Sequence, residues 1–415
     1  MTTSMTAGDS LATSQRSLGD PEVHHPLWPP LVAGCPTTST DTIAHPLEVD
    51  YAYDKVSPEL FTGAGSGLGS RPGAGHDRWA PLLPPLPAPG LGEGGTPLID
   101  IGDGVFVKDE SRNPTWSHKD RLNRVTAGAA VGVGASGIVV ASSGNHGASA
   151  AAYAARAGLR CVVLASAGMP PAVASFLNAY GALVLPVPAA DRWPLMRLIA
   201  DRTGLHPVSN LAVTHTGHPF GAEGYKTVAY EIFADLGVPS AVFVPTGYGE
   251  LLFGVWKGFA ELHRLGLAAS VPRIHACEPA LGGPLHAALR RGVPAARVDV
   301  GESDAYGIDC AVGSIRGVLA VRGSGGSALL VSDEQMRAAQ AELAGHGLWA
   351  ELSAAAGLAG LRSAGQGVER EGPVVCISTS SGFKDRGVGA PELAAPVDPS
   401  WDEVSRRLRA AGIRN

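Results

Sequence analysis

A chain of 415 residues with 32 basic and 38 acidic side chains, formal net charge −6, is long enough for two or three domains and a large core. The mild acidity argues against a nucleic-acid or anionic-membrane surface, and no apolar run approaches the roughly 20 residues of a membrane span. Met1–Ser10 has neither the basic nor the apolar region of a secretion signal, and Cys35, Cys161, Cys277, Cys310 and Cys376 are too scattered for a disulfide framework, so a cytoplasmic setting is expected.

In chain order, residues 1–30 are rich in Ser, Thr, Gly and Pro without periodicity and predict a disordered tail. Residues 62–97, dense in Gly and Pro, predict an extended loop around the body. From Val105 onward the chain alternates. Short β-branched runs (Ile138–Ala141, Cys161–Leu164, Val242–Val244, Val374–Ile377) are separated by helical patterns (Arg121–Val133, Ala148–Ala157, Pro171–Tyr180, Ala222–Leu236, Leu251–Leu265). Gly158, Gly181, Gly237 and Gly266 stand where helix C-caps belong. Ser332–Gln335 and Ser400–Glu403 have capping-box spacing, opening two further helices. Such alternation predicts an α/β fold with mostly parallel sheet covered on both faces.

Four polar loops follow the apolar runs: residues 113–121, 142–147, 246–250 and 378–385. In open α/β sheets the ligand crevice lies beyond the carboxyl ends of the strands, so four such loops imply one shared site. Lys119 is its obvious covalent handle, because an amine becomes a nucleophile where its surroundings lower its pKa. Each loop alone has a plainer reading. Lys119 beside Asp120 and Arg121 reads as a surface lysine, Asn145 as an N-cap, residues 247–251 as a βα turn, and Thr379 as a polar strand end. The spacing of Gly132, Gly134 and Gly137 matches a dinucleotide fingerprint, but it ends a helical pattern and precedes a strand, the wrong order for that mechanism.

Taken together, N-P-T-x-S-x-K-D-R around Lys119, S-S-G-N-H-G at 142–147, V-P-x-G-x-G at 244–249 and T-x-x-G-x-K-D at 379–385 resemble the fold type II pyridoxal phosphate (PLP) enzymes. The likeness runs from Leu31 to Asp385 and is nearest to the threonine synthase family. It implies two α/β domains with the cofactor between them: a larger one from residues 31–130 and 226–392, and a smaller one, 131–225, inserted into it. Residues 393–415 then form a C-terminal helix. It further implies a homodimer, and a lyase that eliminates or replaces a group at the β or γ carbon of an amino acid. A serine/threonine dehydratase, a true threonine synthase and a non-catalytic PLP- or amino-acid-binding relative stay open as alternatives.

The resemblance also carries roles. Lys119 would hold the cofactor aldehyde as an imine and later move the α-proton as a base. The backbone of Gly247, Tyr248, Gly249, Glu250 and Leu251 would hold the cofactor phosphate, and Asn145 its phenolic oxygen. Thr379 would face the pyridine nitrogen, with Ser378 or Ser380 instead if the register slips by one. Ser142, Ser143 and His146 would bind substrate, with Trp116 and His118 shaping its pocket and Glu351 close by. The chain departs from the family at Trp116, His118, Tyr248 and Glu250. Gly221 stands where the family has the arginine that binds substrate phosphate, so O-phosphohomoserine is not the expected substrate. Near Cys35 the chain resembles the zinc-ribbon region of some relatives, but one thiol cannot hold a structural zinc and no metal is expected.

Overall fold

The computed structural model describes residues 9–62, 75–212, 214–365, 372–385 and 399–413. Its thirteen described strands form three sheets. The first is antiparallel, in the order β2 (His24–Pro26), β1 (Ala12–Ser17), β3 (Leu47–Tyr51). The second has six strands, beginning in the chain with β4 (Leu98–Asp100) and β5 (Val105–Asp109). The third has four parallel strands: β6 (Gly137–Ala141), β7 (Arg160–Ala165), β8 (Leu183–Pro186) and β9 (His206–Pro207), ordered β8-β7-β6-β9. The six-stranded sheet is completed by β10 (Ala241–Pro245), β11 (Arg273–Pro279), β12 (Ala328–Val331) and β13 (Val374–Ser378). Its order is β12-β11-β10-β13-β5-β4, parallel except for the β4–β5 pair.

The central strands β10 and β13 are apolar up to Ser378 at the end of β13, because both faces are covered. Val242, Val244, Val375 and Ile377 pack into one core with Phe253 and Phe259. Their neighbours Ala241, Phe243, Val374 and Cys376 pack into another with Met336, Leu343 and Leu358. Helices fill these layers and the connections. They are α1 (Glu59–Thr62), α2 (Lys119–Gly132), α3 (Asn145–Arg156), α4 (Pro171–Ala179), α5 (Arg192–Thr203), α6 (Gly221–Tyr225), α7 (Thr227–Leu236) and α8 (Glu250–Arg264). Then come α9 (Pro284–Arg291), α10 (Ile315–Ser324), α11 (Asp333–Gly345), α12 (Ala356–Ala364) and α13 (Trp401–Ala410). The capping box of Ser332 and Gln335 forms at the start of α11.

Four expectations need correction or restriction. The expected disordered tail over 1–30 is wrong from residue 9 on, since β1 is the middle strand of a sheet. Its sequence lacks apolar alternation because a polar side chain, Gln15, serves as its interior. The Gln15 amide donates to the carbonyls of Pro26, Leu27 and Pro29 and accepts from the Leu31 N–H, at 2.8–3.2 Å. The helix expected over Ala222–Leu236 is divided at Lys226 into α6 and α7. A Cβ on Gly224 would collide with the Arg121 carbonyl, so the segment is shaped by close contact with α2. Ser400 precedes α13 without a side-chain cap bond, and Glu403 pairs instead with Arg406 and Arg407. Of the expected loop over 62–97, residues 63–74 lie outside the described residues; His76–Leu82 is a 3-10 helix.

Buried charge ties the layers together. The fully buried Arg121 guanidinium meets Glu110 at 2.7 Å and Glu231 at 2.6 Å, and Lys108 joins Glu231 at 2.7 Å. Removing one partner of such a network leaves charge uncompensated. Arg121→Met is expected to lower unfolding free energy by about 3–5 kcal/mol, read from urea denaturation.

Candidate active site

β5, β6, β10 and β13 end at a common cleft of about 260 Å³, lined by Lys119, Ser142, Ser143, Asn145, His146, residues 247–251 and Thr379. The predicted convergence of the four loops is therefore present. Lys119 is the first residue of α2, and its Nζ donates to the Tyr225 hydroxyl at 2.9 Å. Burial lowers its pKa, with the Glu250 charge opposing, so a neutral amine is accessible. The Tyr225 phenol is pushed far up by burial and by Glu250 and stays protonated.

His118 stacks on Tyr225, centroids 5.4 Å apart, with Nδ1 3.1 Å from the Thr379 carbonyl oxygen. A nitrogen facing a carbonyl carries the hydrogen. Burial and the Lys119 charge drive the His118 pKa well down, so the ring is neutral. The same two causes bring His146 to about 3. Asn145 opens α3 behind Gly144, which is the N-cap, so its side chain is not spent on capping. Its amide donates to Glu351 at 2.7 Å and its carbonyl accepts from Ser380 at 3.2 Å. Glu351 thus belongs to the cleft wall, and burial raises its pKa. Ser143 accepts from the Ser166 N–H at 2.7 Å, and Ser142 from the Gly144 N–H at 3.2 Å.

Trp116 does not join this cleft. Its backbone is left-handed at φ 63°, which turns the ring into a neighbouring surface cleft with Arg112, Trp349 and Phe383. The expectation that Trp116 shapes the substrate pocket is corrected accordingly. Gly221 is also off the cleft, packed so that a Cβ would lie 3.2 Å from Leu122. Neither Arg112, paired with Asp109 at 3.0 Å, nor Arg121 replaces the absent arginine. Sequence reasoning missed four residues. Arg192, His215 and Cys310 line the cleft, and Tyr225 stands behind Lys119. Tyr225 lies four residues past Gly221, inside a segment read for its helical pattern and its missing arginine; the other three sit in no motif.

The loop before α8 fits a phosphate. A Cβ on Gly247 would stand 2.9 Å from Cys310 Sγ, and Gly249 has φ +84° with Gly317 Cα 3.1 Å from where its Cβ would be. Both positions require glycine, and they bring bare backbone N–H groups to the start of a 15-residue helix. Glu250 is the discordant residue. Its carboxyl is folded over Gly217, leaving no room for a Cβ there, and burial raises its pKa. Buried polar atoms also gather here without partners among the described residues: His146 Nε2, Arg192 Nε, His215 Nδ1 and Oε1 of both Glu250 and Glu351. Such a concentration marks a site completed by a ligand.

The model of the pyridoxal-phosphate dependent enzyme family matches residues 90–380. The chain belongs to that family. Threonine synthase of Methanosarcina acetivorans is 34% identical over 329 residues, covering 74% of this chain and 80% of that protein. Threonine synthase of Methanocaldococcus jannaschii is 31% identical over 388 residues, covering 87% and 93%. Among solved structures, maize serine racemase matches at TM-score 0.60 and 19% identity, covering 76% of this chain and 93% of its own. Threonine deaminase isoform 2 of Solanum lycopersicum matches at 0.58 and 17%, covering 77% and 84%. The solved structures establish the fold type II architecture. The family match and the threonine synthase relatives place the chain among PLP-dependent lyases.

Among the described residues, one His–carboxylate group has metal-like proximity, His76 with Asp77 and Glu93. Arg124 pairs with both carboxylates, at 2.9 and 3.1 Å, and supplies the positive charge there.

PLP-loaded protein is expected to show a visible absorbance band, and borohydride reduction followed by peptide mapping to place the pyridoxyl group on Lys119. Label on another lysine, or none on saturated protein, would contradict the assignment.

Proposed function

We propose that this chain removes a leaving group from the β or γ carbon of an α-amino acid, with or without a replacing nucleophile, using Lys119 as the cofactor-holding amine and the base. The observation that carries this reading is the buried, pKa-depressed Lys119 amine on the cleft where four strand-end loops meet. PLP, when bound, supplies electron withdrawal from the substrate α-carbon. Everything else falls to side chains and backbone. The N–H groups of residues 247–251 would hold the phosphate, while Asn145, steadied by Glu351 and Ser380, and Thr379 would hold the ring. Ser142, Ser143 and His146, at the start of α3, orient the substrate carboxylate, where a helix N-terminus favours an anion. Lys119 Nζ would take the substrate α-proton, with the Tyr225 hydroxyl holding the amine in place. His118, neutral and hydrogen-bonded to the Thr379 carbonyl, lines the substrate side.

The two-domain division and a cytoplasmic homodimer belong to the same proposal. The four-stranded sheet over residues 137–207 supports the inserted domain, and five free cysteines support a reducing compartment. The dimer rests on the family likeness.

The substrate is proposed to be other than O-phosphohomoserine, because Gly221 offers the phosphate nothing and Arg112 and Arg121 are engaged elsewhere. A second reading, a true threonine synthase, is favoured by Arg192, whose buried Nε on the cleft has no partner among the described residues. Kinetics on O-phosphohomoserine, serine, threonine and other β- or γ-substituted amino acids separate the two. Losing an arginine–phosphate pair costs about 4 kcal/mol, so threonine formation from O-phosphohomoserine is expected roughly a thousandfold below the best substrate. Efficient threonine formation supports the second reading. Release of a 2-oxo acid and ammonia from serine or threonine identifies a dehydratase.

A further inference from the structure

Two side chains on the cleft wall are left unexplained by cofactor binding. Glu250 is 8% exposed and its Oε1 has no partner among the described residues. His215 is 5% exposed, with Nδ1 unpartnered and Nε2 3.9 Å from Glu250 Oε2. The two belong together. The His215 ring lies flat on Tyr248, centroids 4.0 Å apart, and the Glu250 carboxyl sits over Gly217 two residues further on. Asn210 Oδ1 holds this turn by accepting from the Thr216 N–H at 2.9 Å. Lys119 Nζ donates to Tyr225 and makes no hydrogen bond to Glu250 Oε1.

We propose that Glu250 and His215 recognise the substrate side chain, and that they select a hydrogen-bond-donating substituent, an ammonium or hydroxyl on the β or γ carbon, over a phosphate ester. The inference rests on the lyase reading above and names the substrate class for it. A carboxylate oxygen only accepts, and a buried one without a donor is costly until a ligand provides it. Neutral imidazole adds one further acceptor or donor. A phosphate brings oxygens and negative charge to an oxygen that is itself an acceptor, and Gly221 offers no countercharge. Selectivity therefore comes from repelling the wrong group as well as from binding the right one.

The test uses PLP-loaded wild-type protein titrated with 2,3-diaminopropionate, 2,4-diaminobutanoate, serine and homoserine, against O-phosphoserine and O-phosphohomoserine. Binding is read from the visible spectrum and from the melting temperature. The best unphosphorylated ligand is expected to bind at least tenfold more tightly than either phosphate ester. Glu250→Gln is expected to keep the visible band but shrink that preference below threefold, and His215→Asn to weaken it in the same direction. Tighter binding of the phosphate esters to wild type overturns the proposal. So does an undiminished preference in Glu250→Gln, or loss of PLP from it, which would assign the carboxyl to the cofactor. If Glu250→Gln does not fold, His215→Asn decides alone. Failure of every amino acid to perturb the spectrum sinks the lyase reading itself, whereas perturbation without discrimination sinks only this inference.

Discussion

The position of one amine depends on the two charged side chains that follow it. Asp120 accepts from the Thr115 N–H and hydroxyl and from Ser149, at 2.5–2.6 Å, which binds the first turn of α2 to its own loop and to α3. Arg121 clamps the next residue to Glu110 and Glu231, on the loop after β5 and on α7. Both side chains are fully buried. Lys119 is thereby held at a fixed point where three elements meet, and its only freedom is its own alkyl chain. Pre-organisation of this kind is what a covalent handle needs, because a small misplacement of a reacting group is costly in rate.

Burial sets the charge state of the whole cleft. His118, His146 and His215 are all driven toward the neutral form, first by desolvation and then by neighbouring positive charge. Glu250 and Glu351 are driven toward protonation by the same desolvation. The histidines of the cleft therefore add no charge and present hydrogen-bonding atoms instead. Anion binding is left to backbone at the starts of α3 and α8, where helix dipoles act without adding a side-chain charge. This division lets a phosphate and a carboxylate share a small volume with an amine that must lose its proton.

The six-stranded sheet makes this possible through its order. β13 and β5 are adjacent and parallel, with Ser378 opposite Asp109, so the loops bearing Thr379 and Lys119 leave side by side. β10 pairs with the other edge of β13, which brings the glycine loop alongside. β6, in the separate four-stranded sheet, delivers Asn145 from across the cleft, and the Asn145–Glu351 bond of 2.7 Å crosses between the two layers.

The sequence by itself determined the alternating α/β class, the strand-then-loop placement of Lys119, Asn145, residues 247–251 and Thr379, and the glycine caps, of which Gly158, Gly181, Gly237 and Gly266 all adopt positive φ. These are local properties, set by side-chain periodicity and backbone sterics over a few residues. Only the tertiary structure decided that Asp120 and Arg121 are interior, because their partners lie up to 110 residues away. The same holds for Gln15, whose polar side chain reads as tail until its carbonyl partners surround it. Trp116 left the expected pocket through a single left-handed φ, which no residue type announces. Arg192 and His215 reached the cleft from segments without a motif, and Tyr225 reached the amine from a segment whose motif gave it no role, since convergence of distant loops is a property of sheet order and not of spacing along the chain.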